Sequence, residues 1–182
     1  MSILIERNFG ALRYKLVVRD KTIERLKNTC FRGPNLALAG NFLAWVNMKA
    51  FLNNSRVIQE ILSEAREINL VGFSLTRSIE VNLDHPIGWS STAELDKYPQ
   101  EDLEEFFLNR HATALRVKMG NHKYKAPKTN TVTIVFEFKD EGDSFVIVIH
   151  SIYPGIDIGE LNGDVSKREN VVFFDWNHPG EK

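Results

Sequence analysis

Apolar residues recur in three different patterns over the first 70 residues. Residues 12–18 alternate between apolar and polar side chains, which predicts a half-buried strand. Residues 22–27 follow Asp20, a residue type that caps helices, and are expected to form a short helix. The apolar run 35–52 predicts a buried helix, and the helical spacing that begins at Ser55 predicts an amphipathic one.

The middle of the chain has weaker periodicity. Residues 71–83 predict a strand with a break near Arg77 and Ser78, and residues 84–98 contain enough Pro, Gly and Ser to predict a loop. Pro99 is suited to the first position of a helix, and acidic residues follow it, as the helix dipole favours. A helix over residues 100–108 is therefore expected.

Strand patterns dominate the last third. Residues 113–119 alternate, whereas residues 131–138 and 145–152 are apolar nearly throughout and are joined by a Gly-containing turn, as in a central β-hairpin. Residues 171–175 predict an edge strand. This order of elements predicts an α+β fold, with a helical N-terminal half followed by a central antiparallel sheet.

A single compact domain is expected. Residues 1–70 would supply an N-terminal strand and helices packed on the core, and residues 71–182 would supply the sheet and the candidate site. The hydrophobic content of 43% and the charged content of 26% are those of a globular protein with a core. No apolar run approaches the length of a membrane span and no signal peptide is recognisable, so a cytoplasmic protein is expected.

Charge is distributed unevenly although the net charge is only −1. Residues 94–105 are predominantly acidic, and residues 110–128 contain six basic residues, two histidines and no acid. This basic ribbon, residues 110–128, either lies on a solvated face or creates a local positive field that attracts a polyanion. An overall basic balance, typical of dedicated nucleic-acid binders, is absent from the sequence.

Residues that can cleave RNA without a metal occur within the ribbon and at the end of the last long strand. The five histidines and the single cysteine do not have zinc-site spacing, so neither a metal nor another cofactor is expected. RNA can be cleaved through its own 2′-hydroxyl if a protein supplies a base, an acid and cations. The candidate catalytic residues are His111, Arg116, Ser151 and Tyr153. The candidate substrate-binding residues are Arg110, Lys118, Lys123, Lys125, Thr131 and His150.

Strand alternation restricts which of these residues can meet. Ser151 and Tyr153 share one face of their strand, but His150 and Ser151 point to opposite faces unless the strand bends. Each candidate also has a structural explanation. His150 can be a hydrogen-bonded core histidine, and Arg116 and Lys118 can belong to a solvated sheet face.

Residues 110–155 resemble the core of the barnase–EndoU–colicin–RelE-like superfamily of bacterial RNase toxins. The resemblance lies in an early strand with Arg and His, a middle strand reading TNTVTIVFEF and a last strand reading FVIVIHSIYPG. Ser151, Tyr153 and Pro154 match the tail of that last strand, and Arg110, His111 and Arg116 match the early positions. The resemblance implies that Ser151 and Tyr153 lie beside the scissile phosphate.

The sequence thus predicts a metal-independent endoribonuclease-like protein, with a toxin role implied by the resemblance. His111 would be the acid or base, and Arg116 and Lys118 would hold the phosphate. RNA and a protein partner, such as an immunity protein, are the expected partners. Two alternatives stay open: a non-catalytic interaction module of prophage or conflict-system type, and a protein that binds RNA without cleaving it.

Overall fold

The computed structural model describes the chain in nine stretches, which are residues 3–9, 12–23, 41–42, 51–67, 75–109, 112–118, 123–141, 144–156 and 168–174. The strands of these stretches are β1 (Ile3–Phe9), β2 (Leu12–Val18), β3 (Asn41–Phe42), β4 (Leu75–Asn82), β5 (Gly88–Trp89), β6 (Thr92–Glu94), β7 (Leu103–Asn109), β8 (Ala112–Val117), β9 (Lys128–Thr129), β10 (Thr131–Asp140), β11 (Phe145–Pro154) and β12 (Val171–Phe173). The longest helix described is α1 (Ser55–Glu67).

A five-stranded sheet forms the larger layer, in the order β1-β2-β11-β10-β4. The two long apolar strands, β10 and β11, therefore lie inside the sheet, where both of their edges are hydrogen-bonded. Neighbouring strands are antiparallel except β2 and β11, which run parallel. The sheet is consequently mixed.

One face of this sheet and helix α1 together form the main core. Alternate residues of β10, such as Ile134 and Phe136, are fully buried, and Ile61 of α1 belongs to the same cluster. Apolar residues at helical spacing direct one side of α1 onto the sheet. Asn54 caps the helix, because its Oδ1 accepts hydrogen bonds from the backbone N–H groups of Arg56 and Val57 at 3.0 and 3.4 Å.

A second sheet has the strand order β6-β12-β8-β7. Its two faces carry separate apolar clusters, one around Phe173 and the other around Val117 and Phe174. The short strands β3, β5 and β9 form a third, three-stranded sheet.

Two hydrogen bonds hold the residue that follows β11 against the first residues of β10, close to Ser90. The Thr133 hydroxyl donates to the carbonyl oxygen of Gly155 at 2.9 Å, and the Gly155 N–H donates to the carbonyl oxygen of Thr131 at 2.8 Å. Gly155 has a φ of 100°, and a Cβ at this position would lie 3.0 Å from the Ser90 Oγ. Only glycine adopts this positive φ and allows this close approach to Ser90 without strain.

The predicted fold class, α+β with a helical N-terminal half followed by a central antiparallel sheet, is wrong. Strands predominate, several sheets are present, and β1 and β2 of the N-terminal half pair with the sheet formed by the C-terminal half. The helix predicted over residues 35–52 is wrong at residues 41–42, which form β3 and pair with β5; residues 51–52 are helical, and the other residues of this run lie outside the described residues. A short apolar segment is compatible with a buried strand as well as with a helix, and pairing with β5 decides between them at residues 41–42.

The predicted helix over residues 100–108 is also wrong. Residues 100–102 form a single 3-10 turn, and β7 follows at Leu103 and pairs antiparallel with β8. The acidic residues after Pro99 suit a helix N-terminus, but pairing with β8 outweighs this local preference. Likewise, β12 lies between β6 and β8 rather than at an edge.

Other local predictions are confirmed. Strand β2 covers residues 12–18, α1 begins at Ser55, and the hairpin of β10 and β11 forms around the Gly-containing turn. Residues 71–83 contribute β4, which continues through Arg77 and Ser78 without the expected break. Residues 24–27, the C-terminal part of the first predicted helix, lie outside the described residues.

Candidate functional site

A β-bulge in β11 reorganises the end of this strand. Ile149 pairs with Phe136 and Ser151 pairs with Val135, so His150 is an additional residue without a register partner on β10. Ile149 and Ile152 both belong to the main core, although they are three residues apart rather than two. The extra residue therefore leaves both His150 and Ser151 outside the core cluster, whereas an unbroken strand would direct them to opposite faces.

The side chains opposite to the main core define the face that we call the bulge face: Thr131, Thr133, Val135, Glu137 and Lys139 of β10, with Val148, His150, Ser151 and Tyr153 of β11. Ser151 and Tyr153 are half-buried and lie opposite Val135 and Thr133. Three of the predicted site residues of β11 are thereby brought to one side of one sheet.

Glu137 contacts both the His150 ring and the Lys139 ammonium group on the bulge face. Its Oε2 lies 3.0 Å from the His150 Nε2, and its Oε1 lies 3.2 Å from the Lys139 Nζ. The Glu137 side chain is 20% exposed and that of His150 is 33% exposed. The carboxylate fixes the orientation of the imidazole, and solvent reaches part of the ring. Such a pair can exchange a proton with a ligand and can hold a ring in position.

The basic ribbon is placed differently from these residues. Arg116 lies on β8 in the four-stranded sheet, where its Nε donates to the Glu104 Oε1 at 3.1 Å. Its guanidinium group also lies 5.2 Å from the centre of the Phe106 ring. The described contacts of Arg116 thus join β8 to β7, and its positive charge is paired with the Glu104 carboxylate.

The remaining candidates of the ribbon have varied surroundings. Lys118, Lys123 and Lys125 are exposed. The Lys123 Nζ lies 4.0 Å from an Asp102 oxygen and 5.2 Å from the centre of the Tyr124 ring. Arg110 and His111 lie outside the described residues, so the role predicted for His111 stays a prediction.

An aromatic group of three rings is hydrogen-bonded to Asp102 through one of its members, Tyr124. The Tyr124 hydroxyl donates to the Asp102 Oδ2 at 2.7 Å, and this hydrogen bond raises the pKa of Tyr124 above its usual value. The Tyr98 ring packs edge-on against Tyr124 and against Phe174, and burial raises the pKa of Tyr98. Because neutral phenols pack here, the group stabilises the second sheet.

Sequence reasoning missed Glu137 and Lys139 as members of the site. They alternate with buried phenylalanines on β10, so their sheet face was predictable, but the contact of Glu137 with His150 depends on the pairing register of β10 and β11. A signal for the bulge is present in the sequence. The apolar positions 147 and 149 are followed by 152 and 154, with the polar pair His150 and Ser151 between them.

Neither a cluster of metal-ligand side chains nor a membrane-spanning helix occurs in the described stretches. No cluster there has three or more His, Cys, Asp or Glu side chains that could hold a metal ion. None of the helices within these stretches is long and apolar enough to cross a membrane.

Comparison with known proteins gives no assignment. No protein-family model matches the chain, and neither a curated protein nor a solved structure matches it.

Proposed function

We propose that this protein is a metal-independent endoribonuclease in which Glu137 and His150 form the acid–base pair. The observation that carries the proposal is the 3.0 Å contact between the His150 imidazole and Glu137, on the face to which the bulge in β11 also brings Ser151 and Tyr153. Bulges recur next to active sites because they redirect a side chain. The resemblance of the segment that ends in Ser151, Tyr153 and Pro154 to RNase toxins supports the same reading.

In the proposed reaction, Glu137 accepts the proton of the ribose 2′-hydroxyl as this oxygen attacks the phosphorus. The protonated His150 gives its proton to the 5′-oxygen as the bond between that oxygen and phosphorus breaks. The products are a 2′,3′-cyclic phosphate and a free 5′-hydroxyl. Protons balance, because one is taken up by the pair and one is released from it.

The other residues of the bulge face supply charge and hydrogen bonds. Lys139, which lies 3.2 Å from Glu137, adds positive charge beside the developing phosphorane. The hydroxyl groups of Ser151 and Tyr153 can donate hydrogen bonds to the non-bridging oxygens. Thr131 lies on the same face at the other end of β10 and would contact the RNA further from the cleaved bond.

The basic ribbon has a secondary role in this proposal. Lys118, Lys123 and Lys125 are exposed and would attract the RNA backbone, an effect that salt weakens. Arg116 is held by Glu104 and is assigned to the stability of the second sheet. Since cellular RNA is the proposed substrate, we place the activity in the cytoplasm; a toxin role with an immunity protein would follow from the resemblance.

The test is incubation of the purified full chain with total tRNA and rRNA in EDTA, followed by end-group analysis of the products. Fragments ending in 2′,3′-cyclic phosphate are expected from the wild type, and a loss of about a hundredfold or more in rate is expected for His150→Ala and Glu137→Gln. His111→Ala, tested in parallel, decides whether His111 also takes part. RNA that stays intact, whether or not a gel shift shows binding, would contradict the proposal.

A further inference from the structure

A pocket of about 240 Å³ opens on the second sheet, away from the residues of the bulge face. It is lined by Glu105, Thr113, Ala114, Leu115, Arg168 and Glu169. Strands β7 and β8 form its floor, and the turn that leads into β12 forms its side. The lining combines two apolar residues, Ala114 and Leu115, and one threonine with two acids and one base. The pocket therefore has an acidic balance.

An exposed aromatic ring lies beside this pocket. The Phe107 side chain is a large apolar group, and it is 78% exposed. It lies opposite Thr113, as Glu105 lies opposite Leu115, and directly opposite residues in an antiparallel pair point to the same face. Phe107 and the pocket thus belong to one continuous surface.

Strand β7 is also the outer strand of its sheet among the described residues. An outer strand offers backbone N–H and C=O groups to an added strand, and alternate side chains of that added strand fall into pockets on one face. A register shift between Phe107 and Asn109 limits this pairing to the part of β7 that precedes the shift. The pocket, the Phe107 ring and the outer edge of the sheet therefore all lie along residues 105–107 of β7.

We propose that β7 binds an extended, basic segment of another protein, with a Lys or Arg side chain of that segment in the pocket between Glu105 and Glu169. Phe107 supplies the apolar contact for the neighbouring residue of the bound segment. A nucleic acid is disfavoured because the surface is acidic. A second copy of this chain is disfavoured as well, since β7 contains two glutamates and no basic side chain to place in the pocket. This proposal does not depend on the RNase proposal.

The experiment uses two synthetic peptides, one alternating arginine with valine and the other alternating glutamate with valine. Fluorescence anisotropy measures binding of each to the full chain, and amide chemical shifts locate the contact. The arginine peptide is expected to bind in a salt-sensitive way, at least about tenfold more tightly than the glutamate peptide, and to shift the amides of β7.

Two variants test the residues, each with a matched control. Glu105→Lys and Phe107→Ser are each expected to weaken binding of the arginine peptide by about tenfold. Glu141→Lys, a charge reversal on another exposed acid, and Leu4→Ser, at an apolar residue that is 54% exposed, are expected to leave it unchanged. The proposal is overturned if neither peptide binds, if both bind equally, or if the controls weaken binding as much as the test variants. It is also overturned if the chain dimerises through β7 instead.

Discussion

His150 and Glu137 meet across the β10–β11 hairpin at 3.0 Å, although the register pairs Glu137 with Val148 and His150 is the additional residue of the bulge. The contact is therefore diagonal, from one residue on β10 to a residue two positions further along β11. Diagonal neighbours on one sheet face are within reach of long side chains. His150 would share this face with Glu137 in an unbroken strand as well, and the bulge adds Ser151 and Tyr153 to the face.

Replacing Gly155 by alanine is expected to destabilise the fold. The residue has a positive φ of 100°, and the new Cβ would lie 3.0 Å from the Ser90 Oγ. We expect the free energy of unfolding to fall by about 1–3 kcal/mol, the usual range for a residue held in such a backbone conformation. Urea denaturation followed by circular dichroism measures the change.

A double variant separates the two causes. Ser90→Ala removes the hydroxyl that the new methyl group would approach, but it does not change the backbone conformation of residue 155. Gly155→Ala should therefore cost less stability in the Ser90→Ala background than in the wild type, without becoming neutral. Equal costs in both backgrounds would show that the contact with Ser90 contributes nothing.

Thr133→Val is expected to lower stability by about 1–3 kcal/mol, because it leaves a buried carbonyl without its donor. Thr133 is fully buried, and its hydroxyl donates to the carbonyl oxygen of Gly155 at 2.9 Å. Thr133→Ser keeps the hydroxyl and should preserve the hydrogen bond, while losing a methyl group. If valine proves no worse than serine in thermal or urea unfolding, the hydrogen bond does not stabilise the end of β11.

Tyr98 and Tyr124 should ionise at higher pH than tyrosines of the unfolded chain. Burial raises the pKa of Tyr98, and the hydrogen bond to Asp102 raises the pKa of Tyr124. A raised pKa in the folded state means that the neutral phenol stabilises the fold at pH values below about 10. This contribution is lost as the pH rises through the folded-state pKa.

An alkaline titration of phenolate absorbance tests this assignment. Tyr98→Phe and Tyr124→Phe should each remove part of the late-ionising signal that the wild type shows. Tyr124→Phe should also reduce the dependence of stability on alkaline pH. Titration curves that keep their late component in both variants would assign it to other tyrosines.

Local sequence patterns predicted the elements that contain their own turn or helical spacing. The β10–β11 hairpin has a Gly-containing turn between two apolar runs, and α1 has apolar residues such as Val57 and Ile61 on one side. Both features act over a few residues. By contrast, the parallel pairing of β2 with β11 joins the two ends of the chain, and a periodic pattern does not contain that information.

Part of the candidate site was also predictable from local sequence patterns. The sequence identified His150, Ser151 and Tyr153, and alternation alone placed the first two on opposite faces. The bulge changes that outcome, because it brings Ser151 and Tyr153 to the face on which His150 contacts Glu137. Strand β7 was misassigned because its acids and Pro99 match a helix start, whereas pairing with β8 fixes it as a strand.

The rate of RNA cleavage in EDTA by two histidine variants tests whether His150 takes part in the reaction. His150→Ala removes the imidazole on the bulge face, and His85→Ala removes the ring of an exposed His–carboxylate pair, in which Nδ1 lies 2.8 Å from the Asp84 Oδ1. We expect His150→Ala to lose the production of 2′,3′-cyclic phosphate ends, and we expect His85→Ala to cleave RNA like the wild type. Equal cleavage by both variants and the wild type would contradict a role for His150 in the reaction.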